Sequence, residues 1–256
     1  MHSIYVMGDL HGQYAKATRI LQEAGLLASD LSWSGGEAEL WFMGDFFDRG
    51  PDGIGCLDLV MRLQTEAAAA GGKVEALLGN HEPLILGALR FPNAPSTGPG
   101  KSFLADWEMN GGLQSDLERL TPAHVDWLTS RPALALVGDD LLAHADALFY
   151  TRYGATVDQV NAAMGALLTG DDTAAWDQLL GDFAERLAFR DRPDRAAAFL
   201  QQYGGKRIIH GHTPISYMSA QPPAEVTEAY PYRDGLCVNV DAGLYRGSPG
   251  FLFLLG

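Results

Sequence analysis

Short apolar runs, each ending in a glycine-led polar turn, set the rhythm of this chain. Ile4-Tyr5-Val6-Met7, residues 39–43 and residues 74–78 are a few residues long and bounded by turn formers, which predicts short strands. Helical patterns follow the first two at residues 13–24 and 55–70, and Gly25 and Gly71-Gly72 stand where helix ends favour glycine. Successive units of strand, glycine loop and helix imply parallel strands joined by crossovers. Their loops then gather at the carboxyl edge of one sheet, where α/β proteins bind ligands.

Further along, Pro, Gly, Ser and Asn between residues 91 and 100 predict a surface loop, and helices are expected across residues 103–128 with Thr121-Pro122 as a start signal. Strands at 133–137 and 141–143 flank the turn Gly138-Asp139-Asp140, and His144 ends the second. Residues 156–203 are Ala- and Leu-rich with charges at helical spacing, which predicts an insertion of two or three helices. A strand at 206–209 delivers His210-Gly211-His212-Thr213-Pro214. Two successive prolines make 219–234 a loop, and strands at 236–240 and 251–255 finish the chain. The expected class is α/β, in one domain over residues 1–256 that carries the helical insertion.

Composition changes this picture little. With 47% hydrophobic and 20% charged residues, the chain is ordinary for a globular protein. It has no run near the ~18 apolar residues of a membrane span, so no membrane partner is expected. The net charge of -14 argues against a nucleic acid polymer bound through a broad basic face. Cys56 and Cys237 are too few for a disulfide framework and read as buried thiols. Met1-His2-Ser3 enters the first strand with no basic and apolar leader, so a cytoplasmic location is expected. Nothing here sets the oligomeric state.

The loops carry the chemistry. Gly8-Asp9-Leu10-His11-Gly12 places Asp9 and His11 two apart, so on an extended segment both face one way and can grip one cation. Asp45, Asn80, His144 and His212 add a carboxylate, an amide oxygen and two imidazoles. This mixed nitrogen and oxygen set suits manganese, iron or zinc, and six ligands exceed what one tetrahedral zinc uses. Two divalent cations held by Asp9 and Asp45 keep a positive surplus that attracts phosphate. Such a pair, ~3.5–4 Å apart, can hold a hydroxide for in-line attack. His81 can then protonate the leaving alkoxide with Asp48 orienting it, and Arg49 can present its planar fork to phosphate oxygens.

Taken together, Gly-Asp-Leu-His-Gly at 8–12, Gly-Asp-Phe-Phe-Asp-Arg-Gly at 44–50, Gly-Asn-His-Glu at 79–82, His144 and Gly-His-Thr at 211–213 resemble the motif series of calcineurin-like metallophosphoesterases. The protein phosphatase branch, including bacterial and lambda-phage-type enzymes, is most similar. The resemblance implies a double β-sandwich flanked by helices. It also implies a first metal on Asp9, His11 and Asp45, and a second on Asp45, Asn80, His144 and His212, with Asp45 as the bridge. Asp48 and His81 match the acid pair, and Arg49 the phosphate-binding arginine. The wider superfamily often carries Gly-His-X-His, whereas Pro214 stands at the last position here, which favours the protein phosphatase branch. That branch uses a second phosphate-binding arginine between the two later histidines, for which Arg190 is the candidate and Arg192 the next.

The activity so implied is hydrolysis of phosphomonoesters in a phosphorylated protein, peptide or small molecule, on serine, threonine or tyrosine, with two divalent ions and manganese foremost. A nucleotide or dinucleoside polyphosphate hydrolase on the same scaffold is the alternative, and a non-catalytic interaction scaffold a remoter one. His210 reads as structural, and His2 and His124 as solvated.

Overall fold

The computed structural model describes residues 3–190 and 192–256, so His2 lies outside the described residues. Strands β1 (Ile4–Met7), β2 (Glu39–Phe42) and β3 (Lys73–Ala76) pair in parallel through the helices α1 (Tyr14–Glu23) and α2 (Gly53–Ala69). Helix α2 begins where the Asp52 side chain accepts the Gly55 N–H, which satisfies a donor that the helix itself cannot. After α3 (His81–Arg90), the stretch expected to be helical breaks into α4 (Phe103–Met109), α5 (Gln114–Arg119) and α6 (Pro122–Thr129). Gly111-Gly112 interrupts the first break, and Thr121 caps α6 as its sequence predicted.

His124 corrects the expectation of a solvated residue. It is buried, closes the capping box on Thr121, and meets the Asp58 carboxylate at 2.9 Å.

A second sheet begins with β4 (Leu134–Val137) and β5 (Asp140–Ala143), an antiparallel pair. The insertion follows as α7 (Val157–Thr169), α8 (Thr173–Asp182) and α9 (Pro193–Tyr203), then come β6 (Arg207–His210), α10 (Ile215–Ser219), β7 (Tyr230–Tyr232), β8 (Cys237–Asn239) and β9 (Phe253–Leu255). The sheets run β3-β2-β1-β9 and β4-β5-β6-β8-β7. Strand β7 falls where a loop was expected. Pro231 argued against a strand, yet β7 lies at the sheet edge, where a missing N–H is tolerated.

Alternation along the strands explains why the sheets stack. Val6, Trp41, Leu142, Ile209 and Val238 point into a shared apolar layer between the sheets. Their neighbours Met7, Leu40, Phe42, Leu141, Ile208 and Cys237 point outward to the helices. Each fully buried aliphatic side chain of this kind stabilises the fold by roughly 1.5–3 kcal/mol. The architecture is thus an α/β sandwich with helices on its outer faces, and the strand-end loops of both sheets meet at one edge.

The insertion is not helical throughout. Between α8 and α9 the chain is pinned by Phe183 and Phe189, both buried, and by the Ala188 N–H donating to the Asp146 carbonyl at 2.9 Å. Glu185 accepts the N–H groups of Leu148 and Phe149. Arg186 and Leu187 are held between these anchors.

Candidate active site

The first two motif loops are laced by their backbones. Leu10 and His11 donate to the Asp45 carbonyl, and Gly12 donates to that of Phe46. Glu82 ties in the third loop. It is fully buried, and its carboxylate accepts the N–H groups of Asp45, Phe46 and Gly79 at 2.7–2.9 Å. This role went unassigned in the sequence, although Glu82 belongs to the Gly-Asn-His-Glu motif. Gly44, at φ +95°, permits the contact, since a Cβ there would lie 2.4 Å from the Gly79 nitrogen.

His11, Asp45, Asp48, Arg49 and His212 all have left-handed backbones. Such positions cost on the order of 1–3 kcal/mol each and persist where surrounding bonds hold them. Asp9 and His11 therefore do not meet by extended alternation. The turn at His11, φ +42°, swings its ring round, while both oxygens of Asp9 accept the His212 N–H.

Lone pairs converge on both sides of Asp45. His11 Nδ1 faces the Phe47 carbonyl at 2.8 Å, and a carbonyl only accepts, so Nδ1 carries the proton. Nε2 then presents its lone pair 3.5 Å from Asp45 Oδ2. On the other side, His144 Nδ1 donates to the Met43 carbonyl at 2.8 Å. Its Nε2 lies 3.5 Å from Asp45 Oδ1 and 3.1 Å from Asn80 Oδ1, both acceptors. His212 Nδ1 is 2.8 Å from Asn80 Oδ1, and its Nε2 is buried with no partner among the described residues.

Acceptors so disposed repel one another unless a cation lies among them. His11, Asp45 and His81 form one group that could hold an ion, and Asp45, His144 and His212 another, with Asp45 in both. Arg49 donates to Nε2 of both His81 and His11, and His81 differs in that a carboxylate, Asp48, rather than a backbone carbonyl engages its Nδ1.

Burial sets the protonation. It lowers the pKa of His11, His144 and His212, leaving neutral imidazoles suited to a metal. Asp45 is held below the usual carboxylate range, since the imidazoles around it, His144 first, outweigh the opposing effect of burial. Asp9 is raised well above that range by burial and by its neighbours Asp241 and Asp45. Uncompensated carboxylates next to neutral imidazoles fit divalent cations.

Beside this cradle, His81 Nδ1 bonds Asp48 Oδ2 at 2.5 Å, and Trp107 Nε1 donates to Asp48 Oδ1 at 2.8 Å. All three side chains are buried, so the imidazole is fixed in orientation. Arg49 is exposed, donates to Nε2 of both His11 and His81 at 2.8 Å, and stacks its guanidinium 4.8 Å from the Tyr245 ring centre.

A cavity of about 460 Å³ opens over these groups, lined among others by Asp45, Arg49, Arg186, His212, Tyr217 and Tyr245. Arg186 is the second arginine lining this cavity, where the sequence reading names Arg190. Arg190 is exposed and outside the lining, and Arg192 pairs with Asp194 at 2.8 Å. Arg186 lies in the same stretch, for which the sequence predicts two or three helices. A larger cavity, about 830 Å³ around Lys206, Arg207 and Phe253, touches none of the groups described above.

Comparisons with known proteins bear on the family and the fold. The chain is 26% identical to Shewanella-like protein phosphatase 2 of Arabidopsis thaliana, over 82% of this chain and 66% of that protein, just under two thirds of its length. It is 26% identical to the symmetrical bis(5'-nucleosyl)-tetraphosphatase of Delftia acidovorans, over 86% of this chain and 68% of that protein. A cold-active protein tyrosine phosphatase superposes with a TM-score of 0.76 at 23% identity, covering 100% of this chain and 74% of that one. A protein serine/threonine phosphatase of Saccharomyces cerevisiae gives 0.60 at 17%, covering 99% and 72%. A family model for calcineurin-like phosphoesterases matches residues 2–216, and the chain belongs to that family.

Proposed function

We propose that this chain is a metal-dependent phosphomonoesterase acting on phosphorylated side chains of proteins or peptides. The observation that supports this most is Asp45, whose two oxygens face the His11 lone pair on one side and the His144 lone pair on the other. Asp9, His11 and Asp45 would hold one cation, and Asp45, Asn80, His144 and His212 a second, manganese being the first choice. Two divalent ions supply positive charge to phosphate oxygens and lower the pKa of water.

The protein's own groups complete the reaction. Arg49 turns its fork from the two imidazoles onto the phosphate, and Arg186 meets it from the opposite wall. Nε2 of His81, released by Arg49, then carries a proton to the leaving oxygen. Asp48 stabilises the imidazolium that this requires, since it bonds Nδ1, and Trp107 keeps Asp48 in place.

Substrate profiling of the manganese-loaded protein tests this reading. Phosphate release from phosphotyrosyl, phosphoseryl or phosphothreonyl peptides is expected. Cleavage of dinucleoside tetraphosphates without any release from phosphopeptides would overturn it in favour of the reaction that the Delftia relative's name describes.

A further inference from the structure

We propose that Asp241 is a further member of the cation cradle, supplying its free carboxylate oxygen to the ion held by Asp9 and His11. This rests on the reading of the site as a metal centre. Sequence motifs did not single it out. Asp241 lies just beyond β8, where the Val240 N–H donates to the His210 carbonyl, so it stands beside the strand end that delivers His212. Loop 8–12 touches it from the other side, since a Cβ on Gly8 would lie 2.2 Å from the Val240 oxygen and 3.1 Å from the Asp241 Cα.

Every other polar group of the residue is engaged. Its N–H donates to Asn239 Oδ1 at 2.8 Å, its carbonyl accepts the Ile215 N–H at 2.9 Å, and Oδ1 accepts the Gly243 N–H at 2.8 Å. Oδ2 has no partner among the described residues although the residue is 1% exposed. Glu82 makes the useful contrast. Equally buried, it uses both oxygens on three backbone donors, as a carboxylate that only ties loops together should.

The charged surroundings agree. Asp45 repels the Asp241 carboxylate, Asp241 and Asp9 repel each other, and Arg49 and Arg246 attract it. An oxygen left bare in this company is costly unless something positive comes to it. A hard divalent cation takes oxygen ligands of this kind, and a third carboxylate lowers the excess charge of the pair without removing it.

Manganese binding to the metal-free protein, wild type and Asp241→Asn, is the test. Weakening of one of the two sites by about 10- to 100-fold is expected, as for groups that support a bound metal. In chelator, Asp241→Asn is expected to melt no lower than wild type, because Asn keeps the Gly243 bond and loses the repulsion. Unchanged affinity at both sites would overturn the proposal, whether or not the melting point falls. A crystal of the manganese-loaded wild type decides independently of the variant's folding. Oδ2 should reach the ion directly or through one water, and an Oδ2 bonded to neither overturns the proposal. A wild-type chain that binds no pair of ions would overturn the reading of the whole site instead.

Discussion

The floor and the wall of this site are built in opposite ways. The floor consists of buried groups on strand-end loops: His11, Asp45, His81 and His144 are at most 1% exposed, and each is oriented by a carbonyl, a carboxylate or a backbone N–H from another loop. The wall consists of exposed groups, Arg49 on a turn, Arg186 on a pinned non-helical segment and Tyr217 on the short helix α10. Chemistry that depends on charge and distance is fixed by a rigid floor, whereas the choice of substrate is left to a surface that can vary without disturbing it.

Breaking the floor should have the largest effect. Asp45→Asn removes the shared carboxylate, and losing several kcal/mol of charge stabilisation corresponds to a fall of roughly 10³-fold or more in kcat. Metal analysis should show that the paired ions are lost with it. His81→Ala should lower kcat by about 10²- to 10⁴-fold while leaving two ions bound, with a larger loss for a poor leaving group than for an aryl one. Trp107→Phe, which loses only the bond to Asp48, should fall between that variant and wild type.

At the wall the effects should be smaller. One charge-assisted bond is worth ~1.5–3 kcal/mol, so Arg186→Ala should reduce kcat/KM by about 10- to 100-fold. Arg190→Ala should leave it within about twofold. Equal losses in the two arginine variants would contradict the assignment of the wall.

The smallest effect concerns stability without metal. Burial pushes Asp241 up to about 7 and Glu82 up to about 8, so both hold protons that the unfolded chain releases near pH 4. The native state then binds more protons between about pH 4 and 8, so these two groups lower stability in chelator as pH rises through that window, and the loss is complete by about pH 8. His11, His144 and His212, with pKa values lowered by burial, act oppositely below about pH 6.5, where the unfolded chain takes up more protons. Melting in chelator should therefore peak near neutrality, with a shift of ~2–4 °C for each kcal/mol.

The same contrast explains what could be read from the sequence. Asp9, His11, Asp45, Asn80, His81, His144 and His212 stood out because each sits at a glycine turn or strand end, where local geometry directs it to the sheet edge. The strands and the first two helices were legible by the same short-range pattern. Glu82, Trp107 and Asp241 were not assigned, because their roles arise from contacts with loops distant in sequence. Arg186 was missed because its Ala- and Leu-rich surroundings gave a helical pattern. Phe183 and Phe189 hold that stretch out of helix by packing into the core, which propensity cannot report. Strand β7 was hidden by Pro231 for a related reason, since only the sheet order reveals an edge.

The most direct test of the central claim is to titrate manganese into the metal-free protein while following bound ions and p-nitrophenyl phosphate hydrolysis together. The account predicts two ions per chain, with turnover appearing only as the second binds. Full turnover with a single ion, or two bound ions with no hydrolysis, would contradict it.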